Sequence, residues 1–273
     1  MSRDIIETAR EPKRLINAEP FAIPAGALLT REQAQEIIQK VVKFSKADEV
    51  AVNIGSGWAS NIRFAANQVS TSGSVTNVGI SVNSTIGKKH GVVSTNDVSD
   101  ASLKRVVEES EALARLSPDD PENMPALGPQ TYQPGKGWFD ATANVTATER
   151  ARAAMTALEP ARKAGDLNTA GFIVVNASAS ALGNNKGLFA YNRGTNANYT
   201  VTVRTNDGTG SGWAGGEHPD WRQLDFAGIS RRALEKARLS RNPVAIEPGR
   251  YTVILEPQAV GDLVQLVGGS LAA

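Results

Sequence analysis

From residue 30 onward the apolar positions switch between two periods. Ala34, Ile37, Ile38, Val41 and Val42 recur at the three- and four-residue spacing of one helix face. Ahead of them Thr30-Arg31-Glu32-Gln33 has the order of a capping box, a hydroxyl followed three residues later by an amide that reaches back. The period then drops to two. Glu49 to Ile54, Asn61 to Val69 and Val75 to Ser84 read as strands, with Gly55-Ser56-Gly57 and Gly73 as turns between them. In the last of these Val78, Ile80 and Val82 share one face and Asn77, Gly79 and Ser81 the other, as in a half-buried strand. Lys88 to Ser94 makes a fourth strand across Gly87. A second helix, Ser102 to Leu116, turns Leu103, Val106, Val107 and Leu113 inward.

Pro118, Pro121, Pro125, Pro129 and Pro134 interrupt both periods between Ser117 and Gly137, where fixed φ angles and missing donors predict a linker. The pattern resumes with a second capping box, Thr146-Ala147-Thr148-Glu149, opening a helix to about Lys163 that Gly165 stops. Pro160 inside it predicts a kink or an early end. Strands follow at Thr169 to Ala181, Lys186 to Asn192 and Asn196 to Thr205. A glycine-rich loop, Asp207 to Gly216, leads to a helix over Asp225 to Ser240, and Arg250 to Leu255 reads as a last strand. Beyond it Val260, Leu263, Val264, Leu266 and Val267 form an apolar stretch that needs a partner to bury it. No internal sequence repeat stands out. The reading is an α+β protein: an extended arm over 1–29, an N-terminal α/β domain of helix, antiparallel sheet and helix over 30–116, a proline-rich linker over 117–137, and an incomplete β-rich C-terminal domain over 138–273.

Composition narrows the classes. Apolar residues at 41% and charged residues at 21% fit a globular chain rather than a disordered one. No apolar run approaches the roughly 18 residues that span a bilayer, and residues 1–24 lack the apolar core of a secretory signal. The absence of cysteine removes disulfides, thiolate metal sites and thiol nucleophiles, and fits a reducing, cytoplasmic setting. With 29 basic and 28 acidic residues, and Lys13-Arg14, Lys88-Lys89 and Arg231-Arg232 as isolated pairs, there is no stripe for direct nucleic-acid binding.

The chemistry-bearing residues are few. Two histidines at i and i+4 with a carboxylate between them would make a helix-borne zinc site, but His90 and His218 stand alone. His90 reads as a strand-edge residue and His218, between Glu217 and Pro219, as a loop histidine. Ser211 sits in Gly208-Thr209-Gly210-Ser211-Gly212 without the strand-to-helix context of a nucleophile elbow, and the same glycines lack the following lysine of a phosphate loop. Gly210, Ser211, Gly212, Trp213 and Trp221 are nevertheless the candidate contacts. Trp213 and Trp221, which flank Gly-Gly-Glu-His-Pro, either grip an extended peptide or partner, or anchor the loop to its own core.

Several segments in order resemble the TldD/PmbA family. Arg63-Phe64-Ala65-Ala66-Asn67 is similar to its Arg-x-Ala-x-Asn segment, and Asn176 to Asn192, with Ala-Leu-Gly-Asn-Asn-Lys-Gly-Leu, to its small-residue strand. Asp207 to Trp213, Arg232 to Ala237 and Pro248 to Leu255 follow in the family's order. The resemblance implies an N-terminal α/β domain, a larger β-rich C-terminal domain, and proteins longer than this chain, which then looks truncated at its C-terminus. It also implies a metallopeptidase context: the catalytic branch carries His-Glu-x-x-x-His after the Pro-Gly-x-Tyr segment, a zinc site that activates water against a peptide carbonyl. Aligned on Gly261, Gln265 and Leu266 stand at the first histidine and the glutamate, and Ser270 at the second histidine. That departure matches the PmbA/TldE-like branch. The resemblance therefore implies no catalytic or metal-ligating residue in this chain, zinc on a TldD-like catalytic partner, and peptide or unfolded protein as substrate. A stand-alone peptide hydrolase and a DNA gyrase-associated regulator are the alternatives.

Overall fold

The computed structural model describes residues 28–271, so most of the arm expected over 1–29 lies outside the described residues. Helix α1, Arg31–Phe44, starts at the predicted capping box: Thr30 Oγ1 accepts from Gln33 N–H at 3.2 Å, and Gln33 Oε1 accepts from Thr30 N–H at 2.9 Å. Strands β1 (Glu49–Ala65), β2 (Gln68–Ile86) and β3 (Lys89–Thr95) form an antiparallel meander, closed by α2, Asp100–Leu116. The proline-rich segment and a one-turn helix, α3 (Asp140–Ala143), lead into α4, Ala147–Ala164, which begins at the second capping box and ends on Gly165 at φ +75°. A second meander follows, β4 (Leu167–Asn184), β5 (Phe189–Thr205) and β6 (Ser211–His218), and then α5, Phe226–Leu239.

All six strands belong to one sheet, in the order β3-β2-β1-β4-β5-β6. The seam is antiparallel, from Ala51 opposite Asn184 to Phe64 opposite Gly171. Each half is therefore a helix, three strands and a helix, and the antiparallel seam relates the halves by an approximate two-fold axis. The second half repeats the architecture of the first although the sequences show no repeat.

Burial alternates along most of the seam strands, so one face of the sheet carries the core. At one end Val50, Val52, Ile54, Ile80 and Val82 pack under Ile37, Val41, Leu103 and Val106 of α1 and α2. At the other, Ile173, Val175, Tyr199 and Val201 pack under Ala154, Ala157, Leu158, Ala233 and Ala237 of α4 and α5. Residues 242–271 form a separate unit. Its regular element is α6, Pro257–Gly269, and Val264, Leu266 and Val267 on it are exposed.

Several sequence expectations are corrected. Gly55-Ser56-Gly57 is not a turn: β1 runs through it because β2 and β4 pair with it on both sides. The turn comes at Ala66 and Asn67, with φ of +49° and +58°, so Val69 belongs to β2. The gap expected between Asn192 and Asn196 also closes, and β5 is one strand. Leu113 is 45% exposed, because the end of α2 presents Ser110 and Ala114 to β3 instead. A Cβ at Gly91 of β3 would lie 2.1 Å from Ser110 O and 2.5 Å from Ala114 N, a crossing too close for a leucine between them. Pro160 lies within α4, which continues to Ala164. Most of the glycine-rich loop is strand β6. Arg250 to Leu255 forms no strand, and the apolar stretch after it is helical.

Candidate functional site

The segment expected to carry contacts is a tight hairpin. Gly208 takes φ +75° at its tip. The Asp207 carboxylate accepts from Thr209 N–H and Thr209 Oγ1, both at 3.0 Å, and from Thr205 Oγ1. These donors hold its carboxyl below the usual range, Thr205 contributing most. Gly210 and Gly212 are buried packing positions: a Cβ on them would stand 2.1 Å from Ala237 O and 2.2 Å from Ala233 O. Their absent side chains let α5 lie on β6. Ser211 N–H and O both engage Ser240 Oγ at 2.8 Å, so the Ser211 backbone ties the hairpin to the end of α5.

Trp213 and Trp221 are not brought together. Trp213 stands opposite Thr202 on the face away from the helices, its ring passing over Gly215. Trp221 packs into the helix-side core, its ring centroid 4.5 Å from that of Phe226, which lies 5.3 Å from Tyr199. Anchoring is thus the arrangement at Trp221. Beside it His218 ends β6, accepting at Nδ1 from Asp220 N–H at 2.9 Å. Arg222 clamps the Asp220 carboxylate with contacts of 2.8–3.2 Å and holds its carboxyl low. Pro219 O accepts from Thr142 Oγ1 at 2.8 Å and Thr195 Oγ1 at 2.9 Å. These contacts brace the end of β6 against α3 and β5.

The other histidine lies in a row that superficially suits nucleophilic catalysis. Thr85 Oγ1 is 3.0 Å from His90 Nδ1, and His90 Nε2 is 3.7 Å from Asp120 Oδ2. The carboxylate is beyond hydrogen-bond reach of the ring, and Thr85 is only 7% exposed. These residues line none of the cavities formed by Ile80 and Tyr132, by Trp58 and Trp138, by Thr202 and Arg204, or by Pro160 and Leu234. A reacting carbonyl has no place beside that hydroxyl.

At the positions compared with the zinc motif, Gln265 and Leu266 lie on α6, and Ser270 follows its end, its Oγ donating to Leu266 O at 3.2 Å. An amide, an aliphatic chain and a hydroxyl do not fit Zn²⁺, which takes imidazole, thiolate and carboxylate donors. Among the described residues no three His, Asp or Glu side chains gather at a common point.

The face of the sheet away from the helices is the remaining candidate. Asn53, Asn61, Asn176, Ser178, Asn196 and Asn198 project there, and Glu217 at its β6 edge accepts from Asn196 Nδ2 at 2.7 Å. Two further residues of this face are Gly55 and Gly79, which sequence reasoning had placed in a turn and on a strand face without giving either a contact. They stand directly opposite each other, and a Cβ on either would meet nothing within 4 Å. The available signal was Gly79 inside a predicted strand.

Sequence models of two protein-family domains match this fold: the PmbA/TldA metallopeptidase domain 1 over residues 50–114, and the PmbA/TldA metallopeptidase central domain over residues 142–241. Each falls within one half of the sheet. No curated protein matches the sequence significantly. Among solved structures, TldE from Thermococcus kodakarensis is similar at 17% identity with a TM-score of 0.68, over 75% of this chain and 47% of that one. A candidate modulator of DNA gyrase from Thermotoga maritima matches at 15% identity and 0.71, over 79% and 50%. Another, from Bacteroides thetaiotaomicron, matches at 15% and 0.75, over 89% and 58%. The chain thus spans about half the length of these relatives, and the likeness carries the fold.

Proposed function

This chain belongs to the TldD/PmbA family, and from that premise we propose that it is the non-catalytic subunit of a two-protein metallopeptidase acting on peptides or unfolded proteins in the cytoplasm. The observation that carries the reading is the donor set at Gln265, Leu266 and Ser270. Neutral amide and hydroxyl groups are poor zinc ligands, and leucine cannot take a proton from a bound water. A TldD-like partner is the subunit to which the metal is assigned. This chain contributes surface: a broad sheet face whose amides and hydroxyls suit an extended backbone.

The test is zinc content and peptide cleavage, measured for this protein alone and mixed with a TldD-like protein from the same source. Zinc and chelator-sensitive cleavage are expected in the mixture and not in this protein alone. Stoichiometric zinc with cleavage by this protein alone would overturn the assignment.

A further inference from the structure

Between the open face of the sheet and the proline-rich segment lies a groove of about 700 Å³, within the range of about 300–1,000 Å³ typical of ligand sites. Its floor is two rows that cross the strands. Ser81, Asn53, Leu182 and Ala190 follow one another in one, and Gly79, Gly55, Ser180 and Asn192 in the next. The roof is Tyr132, Gln133 and Gly135. No described residue lining the groove is charged.

We propose that this groove binds an extended, uncharged stretch of polypeptide, the part of a substrate that this subunit holds. The inference rests on the peptide-handling reading above and locates it. Glycine inside a strand weakens the strand, since it adds backbone freedom and contributes no side-chain packing. Here two glycines face each other at the middle of a long sheet, with nothing packed above either. The backbone conformation at both is open to any residue, so no turn or strain requires them. What they provide is a low floor on which another backbone approaches closely. Asn53, Ser81, Ser180 and Asn192 bring amides and hydroxyls to that floor, which donate and accept as a peptide bond requires, and Leu182 and Ala190 bring apolar surface against which side chains pack. A charged ligand entering here would lose water without gaining an opposite charge.

The chain's own segment shows the chemistry this face accepts. Residues 128–135 carry no charge and adopt no helix or strand, and Tyr132, Gln133 and Gly135 among them lie over the same face. Gly135 approaches so closely that a Cβ there would sit 2.2 Å from Asn192 Oδ1. The segment is pinned upstream by Asn184 Nδ2, which donates to Leu127 O at 2.9 Å, and downstream by Gly137 O, which accepts from Thr195 N–H at 2.9 Å. Tyr132, 51% exposed, adds an aromatic surface against which a bound side chain packs.

The experiment titrates the isotope-labelled 273-residue chain with a capped octapeptide of Gly, Ser, Gln and Tyr, read by amide chemical shifts. Saturable shifts are expected at Gly55, Gly79, Ser180 and Asn192. Gly79→Val fills the floor where space is free, so the fold is retained and affinity drops at least tenfold. Val75→Thr, on the same face but outside the groove, leaves affinity unchanged. A capped octapeptide with Glu or Lys at its central positions binds at least tenfold more weakly. The proposal is overturned by an absence of shifts at those residues with millimolar peptide, by undiminished binding to folded Gly79→Val, by equal affinity for the charged peptides, or by equal affinity for an uncharged oligosaccharide of similar size. Neither zinc nor a partner enters this titration, so its failure leaves the subunit assignment to its own cleavage test.

Discussion

Glu111 lies on α2, yet the groups it satisfies belong to the end of α1. Its Oε1 accepts from Ser45 Oγ at 3.0 Å, from Lys46 N–H at 2.5 Å and from Ala47 N–H at 3.1 Å, while Arg115 approaches Oε2 at 3.3 Å. Burial pushes its carboxyl up, but the Lys46, Ser45 and Arg115 hydrogen bonds together outweigh burial and hold it below its ordinary value. A depressed folded-state value means that stabilisation is complete above the usual carboxylate range and is lost as pH falls through the folded value. Glu111→Gln is therefore expected to cost about 1–3 kcal/mol at neutral pH. Urea unfolding at a series of pH values checks it: the gap between native and variant proteins closes in acid, and a gap independent of pH would refute the account. Nothing in the sequence announces this contact, because its partners lie 64 to 66 positions away. Asn67 was legible only as part of a family segment. Its amide joins the β1–β2 turn to β4, donating to Leu167 O and accepting from Thr169 N–H, both at 2.8 Å. Local patterns do not encode such pairs.

Among the elements, the capping boxes at Thr30 and Thr146 were readable because both partners lie within one turn of each other. Glycines misled for the opposite reason. Gly55 and Gly57 stand in the middle of β1, Gly208 is a true turn, and Gly91, Gly210 and Gly212 mark helix–strand crossings; one residue type serves three purposes. Which purpose applies depends on what stands above the missing Cβ, a property of the fold and not of the neighbouring sequence. Gly91 and Gly212 hold equivalent positions in the two halves, each on the third strand beneath the closing helix. Alanine at either would force the helix off the sheet, with an expected cost of about 1–3 kcal/mol, the usual penalty of overpacking. Gly55→Ala is the contrasting case, where the Cβ meets open space and removal of glycine from a strand stabilises by about 0.5–1 kcal/mol. Thermal unfolding of the three variants separates the roles. Similar effects at all three positions would mean that the crossings are not the reason for the glycines.

At the scale of the whole sheet the two halves are bound through their cores as well as along the seam. Phe64, from the first half, lies in the second half's core, its ring centroid 6.5 Å from that of Tyr199. It crosses β4 at Gly171, where a Cβ would stand 2.2 Å from the Phe64 ring. In return Ala181, Phe189 and Tyr191 of the second half pack against the first half's cluster. The alternation of buried and open positions foretold parts of β1, β2, β3, β4 and β5 but not β6, and the proline-rich segment lies between the two helix–meander–helix units. The sequence contained no sign that the units share one sheet, because antiparallel pairing of β1 with β4 needs only matching face parity, which many side-chain sets satisfy. This exchange predicts that the halves unfold together. Phe64→Ala leaves a large cavity at the seam and is expected to cost about 3–5 kcal/mol. Amide hydrogen exchange on this variant should then quicken at Val82 in the first half as much as at Val201 in the second. Protection kept at Val82 while Val201 exchanges freely would mean that the seam couples the halves only in space, and that each unit carries its own stability.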